Sequence, residues 1–144
     1  MPLYTCIADD RTSDDQRQRI ALAITEAHCG QTGAPAEFVH VFFNDFLGGN
    51  KKSDLRIVGS IRAGRPPELK AQLHADIIAR VAEILSCAPG RLRLALQEVR
   101  PEWNMEGGAV LPKPGSEADW MKTHWTQDDD EAEDTSPVQR ADPA

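Results

Sequence analysis

The sequence predicts an α/β fold in which two fused β-α-β units build one four-stranded sheet with both helices on one face. Three observations carry this. Short, β-prone apolar segments recur at residues 3–8, 38–43, 55–61 and 92–99. A helical periodicity separates the two strands of each half. The strand and helix signals then repeat with a period of roughly fifty residues, in architecture though hardly in sequence. Each unit should pair its strands in parallel through a right-handed crossover. The chain of 144 residues suits a single domain. We place it at 1–126, with units at about 1–45 and 54–100 and an extension over 101–126.

The elements follow in order. Residues 3–8 are short and apolar. Ser13 with Gln16 makes a capping box, and Thr12 with Asp15 a less ideal overlapping one. Ile20, Ala23, Ile24 and Ala27 then repeat at helical spacing, and Gly30 stops the run. After the turn signals Gly33 and Pro35, residues 38–43 read as a buried strand with His40 as a core or interface histidine. Residues 44–53 form a loop with Gly48-Gly49-Asn50 at its tip, and 55–61 the third strand. Pro66 and Pro67 suit a first helical turn, where a missing N–H costs nothing. Leu69, Leu73, Ile77, Val81 and Ile84 make the apolar stripe of that helix, which ends at Pro89-Gly90. Leu92, Leu94 and Leu96 alternate along a fourth strand. Residues 101–126 hold Trp103, Trp120 and Trp125 and read as an irregular or hairpin extension followed by a short helix. The helices cover one sheet face; the other needs a partner, so self-association is expected.

The formal charge is −7, and the tail at 127–144, with seven acidic residues against Arg140, accounts for nearly all of it. That tail has too little apolar material to fold and reads as a disordered, solubilising segment. Without a basic block or basic-aromatic stripe, nucleic acid is not an expected partner. Nor is a membrane, since no long apolar stretch or signal peptide is present. Cys6, Cys29 and Cys87 are odd in number and widely spaced, as buried free thiols of a cytoplasmic protein would be. The four histidines do not fall at metal-ligand spacing.

The chemistry centres on Met1-Pro2. Removal of Met1 would leave Pro2 with a free secondary amine, a group that titrates close to neutral pH and so can act as acid or base. His28, near the end of the first helix, should lie at the same sheet edge as Pro2. If the second unit runs antiparallel to the first, Arg62 and Arg65 join them, and Glu106 follows. Arginine grips a carboxylate with a bidentate geometry that lysine does not match. His28 can donate a hydrogen bond to a carboxylate or carbonyl oxygen, and Glu106 can activate water or tune Pro2. Two arginines would favour a neutral proline base and a close carboxylate a protonated acid, so both roles stay open. Singly, these residues read as a helix cap, solvated loop arginines and a surface carboxylate; only their convergence points to chemistry.

The matching stretches are Met1-Pro2-Leu3-Tyr4-Thr5-Cys6, Ala23-Ile24-Thr25-Glu26-Ala27-His28, Ile61-Arg62-Ala63-Gly64-Arg65 and Leu111-Pro112-Lys113-Pro114-Gly115, with Trp120 after them. Running in order through about 1–126, they resemble the tautomerase superfamily, in particular the group of cis-3-chloroacrylic acid dehalogenase. The resemblance implies a homotrimer of fused β-α-β units that uses an N-terminal proline and no metal or organic cofactor. By position it makes Pro2 the acid or base and gives the substrate carboxylate to His28, Arg62 and Arg65. It gives water activation to Glu106 and places Tyr4 near the proline. One departure matters: Ala95 stands where the dehalogenases have a tyrosine that works with the glutamate, and Glu106-Gly107-Gly108-Ala109 lacks the aromatic and arginine that usually follow. The expected activity is keto–enol tautomerisation of a small unsaturated or 2-oxo carboxylic acid. The alternatives are hydration or hydrolytic dehalogenation of a 3-haloacrylate-type acid, and a non-catalytic binding scaffold.

Overall fold

The computed structural model of the chain describes residues 2–8, 12–44 and 55–124. The expected glycine-tipped loop, Trp125 and the acidic tail lie outside the described residues. The elements are β1 (Leu3–Ala8), α1 (Asp14–Thr32), β2 (His40–Asn44), β3 (Leu55–Arg62), α2 (Pro67–Leu85), β4 (Leu92–Val99), β5 (Met105–Glu106), β6 (Ala109–Val110) and α3 (Glu117–His124).

The main sheet runs β2-β1-β3-β4, and β5 with β6 forms a separate hairpin. Strands β1 and β2 are parallel, as are β3 and β4, while β1 and β3 meet antiparallel. Leu3 lies opposite His40 and Leu55 opposite Leu92, so both units close over the same 37-residue separation. A 53-residue step carries α1 onto α2 and sets the inward-facing Tyr4 and Cys6 of β1 on the inward-facing Ile57 and Gly59 of β3, and the exposed His40 on the exposed Arg93. This is the structural form of the repeat expected from the sequence.

Strand alternation decides what is buried. Tyr4 and Cys6 of β1 and Leu55, Ile57 and Ile61 of β3 point towards the helices. There they meet Ile20 and Ile24 of α1 and Leu73, Ile77 and Val81 of α2, all in one core. Leu3, Thr5, Ile7 and Val58 alternate onto the opposite face and are only half-buried, and Phe42 there is 59 % exposed.

Five local expectations are corrected. Helix α1 opens on the expected box, with Ser13 Oγ accepting from Gln16 N–H and Gln16 Oε1 from Ser13 N–H. It runs through Gly30, however, and ends at Thr32, because Gly33 takes the left-handed conformation (φ 70°) that closes a helix. Residues 38–43 are not one buried strand: Phe38 is the buried residue of a single turn of 3-10 helix, and β2 starts at His40 as an edge strand with alternate side chains exposed. His40 is exposed rather than in the core, and what it contributes is its backbone N–H, which donates to Pro2 O at 3.0 Å. Helix α2 stops at Leu85, ahead of Pro89-Gly90, and of the thiols only Cys6 is fully buried.

Gly59 on β3 lies opposite Tyr4 in the register, and the Tyr4 ring packs over it. A β-carbon there would sit 2.6 Å from Tyr4 Cε1 and 3.0 Å from Leu96 Cδ2. Gly59→Ala should therefore cost about 1–3 kcal/mol as an overpacked core does, read as a lower midpoint in urea unfolding. An unchanged midpoint would mean that the Tyr4 ring is free to move aside.

Candidate active site

The two β-α-β units and the C-terminal extension meet at the end of the sheet where β1 begins and β3 finishes. Pro2, His28, Arg62 and Arg65 line one pocket there, together with Ala34, Phe38, Leu111, Pro112, Glu117 and Trp120. The antiparallel β1–β3 pairing creates this convergence, because it sets the last residue of β3 beside the start of β1. The enclosed space is about 10 Å³, room for roughly one water molecule.

His28 is not a helix cap. It is buried, and its Nδ1 lies 2.8 Å from the Tyr4 hydroxyl, with the two rings edge to face. Burial holds the Tyr4 phenol well above its ordinary pKa, with Arg65 partly opposing this, so the hydroxyl stays protonated. It has no other acceptor among the described residues and donates to Nδ1, which puts the imidazole proton on Nε2. Tyr4 thus stands behind the pocket as the residue that orients His28, and Nε2–H is the ring's remaining donor.

Burial, then the charges of Arg65, the amino terminus and Arg62, lower the His28 pKa from 6.5 to about 3. Unfolding restores the ordinary value. Between about pH 6.5 and pH 3 the unfolded chain takes up a proton that the native state refuses, so stability is lost as the pH falls through that window. A His28→Gln variant should show a flatter dependence of Tm on pH from about 7 down to about 4. Parallel profiles would mean that His28 titrates freely in the fold.

The two arginines differ. Arg62 ends β3, and its side chain is 5 % exposed. Its Nη1 donates to Pro112 O at 2.7 Å, and its Nη2 donates to Glu117 Oε1 in a short ion pair. The second Glu117 oxygen accepts from Gly115 N–H at 2.7 Å. Burial would raise the Glu117 carboxyl, but backbone N–H groups and Arg62 outweigh it and hold the acid below its usual range. Arg65, in the loop after β3, is different: its Nε is buried without a hydrogen-bond partner, and no carboxylate pairs with it among the described residues. Burial and the neighbouring Arg62 both disfavour its charge.

Glu106 and Tyr4 do not line the pocket. Glu106 ends β5, and Gly107 and Gly108 follow with φ of 56° and 82°. A two-residue hairpin turn of this hand requires positive φ at both central positions, which accounts for the glycines in that stretch. Ala95 projects from β4 on the uncovered sheet face, in register with Val58. Trp103 is 68 % exposed, with the Arg100 guanidinium 5.1 Å from its ring centre. Glu117 was missed. In the sequence it is only an acid at the start of a short helix, where the helix dipole alone would favour it. Its partner lies 55 residues away. Among the described residues no helix is long and apolar enough to cross a membrane, and no group of ligating side chains is placed to hold a metal.

No family model matches the sequence, and no curated protein is significantly similar to it. Solved structures are similar. One is N1, a member of the cis-3-chloroacrylic acid dehalogenase family, at 28 % identity and a TM-score of 0.77 over 84 % of this chain and 91 % of that one. Native Ps01740 is 31 % identical with a TM-score of 0.65, over 72 % of this chain and 99 % of that one. A fused 4-OT, described as an asymmetric trimer, shares the fold at 22 % identity and a TM-score of 0.67, over 75 % and 94 %.

Proposed function

The chain belongs to the tautomerase superfamily, in the group of cis-3-chloroacrylic acid dehalogenase, and on that premise we propose that it is a tautomerase working through Pro2 on a small unsaturated or 2-oxo carboxylic acid. The observation that carries this is one pocket holding Pro2, a neutral donor in His28 and an unpaired guanidinium in Arg65. Arg65 and His28 hold the substrate carboxylate, and Arg62 adds its charge from behind Glu117. With Met1 removed, the Pro2 nitrogen takes the proton from the enol oxygen and delivers a proton to the adjacent carbon. One O–H bond breaks, one C–H bond forms, and the enol C=C becomes C=O, with no redox change.

The uncovered sheet face around Thr5, Val58 and Phe42 is the surface on which three copies of the chain would assemble. Hydrolytic use of Glu106 gains no support from the pocket, which it does not line.

The test is a proton NMR time course of the full chain, its Met1 removal verified by intact mass, with phenylpyruvate enol and with cis-3-chloroacrylate. Ketonisation above the buffer rate is expected. Malonate semialdehyde from chloroacrylate would put the hydrolytic reading first. No turnover of either acid by the Met-cleaved chain would overturn the proline mechanism and leave a binding scaffold.

A further inference from the structure

Resting on the reading of the Pro2 pocket as a carboxylic acid site, we propose that Glu117 is a specificity-determining residue that limits the substrate to one carboxylate. Its carboxylate lines the pocket, is fixed by Arg62 on one oxygen and by Gly115 N–H on the other, and is only 15 % exposed. The pocket therefore already contains one of the two carboxylates that its two arginines can pair. With His28 neutral, Arg62 and Arg65 positive and Glu117 negative, the site carries one net positive charge before Pro2 is counted. Arg65 alone is left to meet an acid. A second substrate carboxylate would find no free guanidinium and would face Glu117 at close range in a poorly solvated space, where like charges are strongly disfavoured. The remaining lining, from Ala34, Phe38, Leu111 and Trp120, suits an apolar remainder.

Glu117→Gln keeps the size of the side chain and an acceptor for Gly115 N–H but frees the Arg62 charge. The experiment is titration calorimetry of the full-length wild type and the Glu117→Gln variant with crotonate and with maleate dianion at neutral pH. Wild type should prefer crotonate by about tenfold or more, and the variant should shift the ratio towards maleate by a similar factor. A merely structural role would weaken both acids in proportion, and an unchanged ratio in a variant that still binds crotonate overturns the proposal while leaving the carboxylate site standing. Equal or tighter maleate binding by the wild type overturns it without any variant. Binding of neither acid by the wild type overturns it together with the reading it rests on.

Discussion

An N-terminal extension that keeps Pro2 inside a peptide bond is expected to lower kcat/KM by about 10²–10⁴-fold, the worth of one positioned acid–base group. The variant leaves the pyrrolidine ring in place and changes the chemistry of a single nitrogen, from a basic amine to an amide that cannot be protonated near neutral pH. Pro2 is buried at the pocket wall, and its carbonyl is held by His40 N–H at 3.0 Å, so the residue is anchored by the sheet rather than by its own nitrogen. Tm should therefore change little. Enol ketonisation by the extended and the Met-cleaved proteins, compared at equal concentration, reads the effect. Equal rates would remove Pro2 from the mechanism. Pro2→Ala retains an amine, though a primary one on a less constrained residue, and should fall between the two.

Arg65→Ala should raise KM and lower kcat/KM by on the order of 10²-fold, corresponding to about 2–4 kcal/mol for a partly desolvated contact to a carboxylate. Its effect on stability should have the opposite sign. Arg65 has a buried Nε without a partner and lies close enough to Arg62 for the two charges to oppose each other. Removing it relieves a repulsion and a desolvation cost in the empty protein, so Tm should hold or rise. Arg62→Ala behaves otherwise, because it strands Glu117 and releases Pro112, and it should lower Tm. Kinetics and thermal unfolding of both variants separate a residue kept for its ligand from one kept for the fold. Loss of stability in Arg65→Ala would contradict that assignment.

The fold was legible where local physics decides the structure. The capping box at Ser13 and Gln16, the proline pair before α2 and the leucine alternation of β4 all need only neighbours in sequence. Gly30 misled because a glycine inside a helix looks like a stop; which glycine takes positive φ depends on where the chain must turn. Phe38 to Phe43 misled because an apolar run reads as a buried strand whether its apolar side faces a core or an open sheet face. At the site, Pro2, His28, Arg62 and Arg65 were named from their motifs and fall together once β1 and β3 pair. Glu117 was not legible, since an ion pair spanning 55 residues leaves no local trace. Nor was the difference between the arginines, which depends on who occupies each guanidinium.

The antiparallel seam between β1 and β3 gives the sheet a local two-fold axis that exchanges its halves. The symmetry belongs to the backbone and not to the chemistry. The 53-residue step that maps α1 onto α2 takes Pro2 to Leu55, Tyr4 to Ile57 and His28 to Val81, all of them fully buried apolar side chains. Leu55 stands in mid-chain, where the backbone nitrogen is an amide, so any reactivity that a free amine would lend to β1 has no twin on β3. A duplicated architecture of this kind would carry one reactive edge per chain, and the counterpart edge, with no amine to serve, is given over to apolar core.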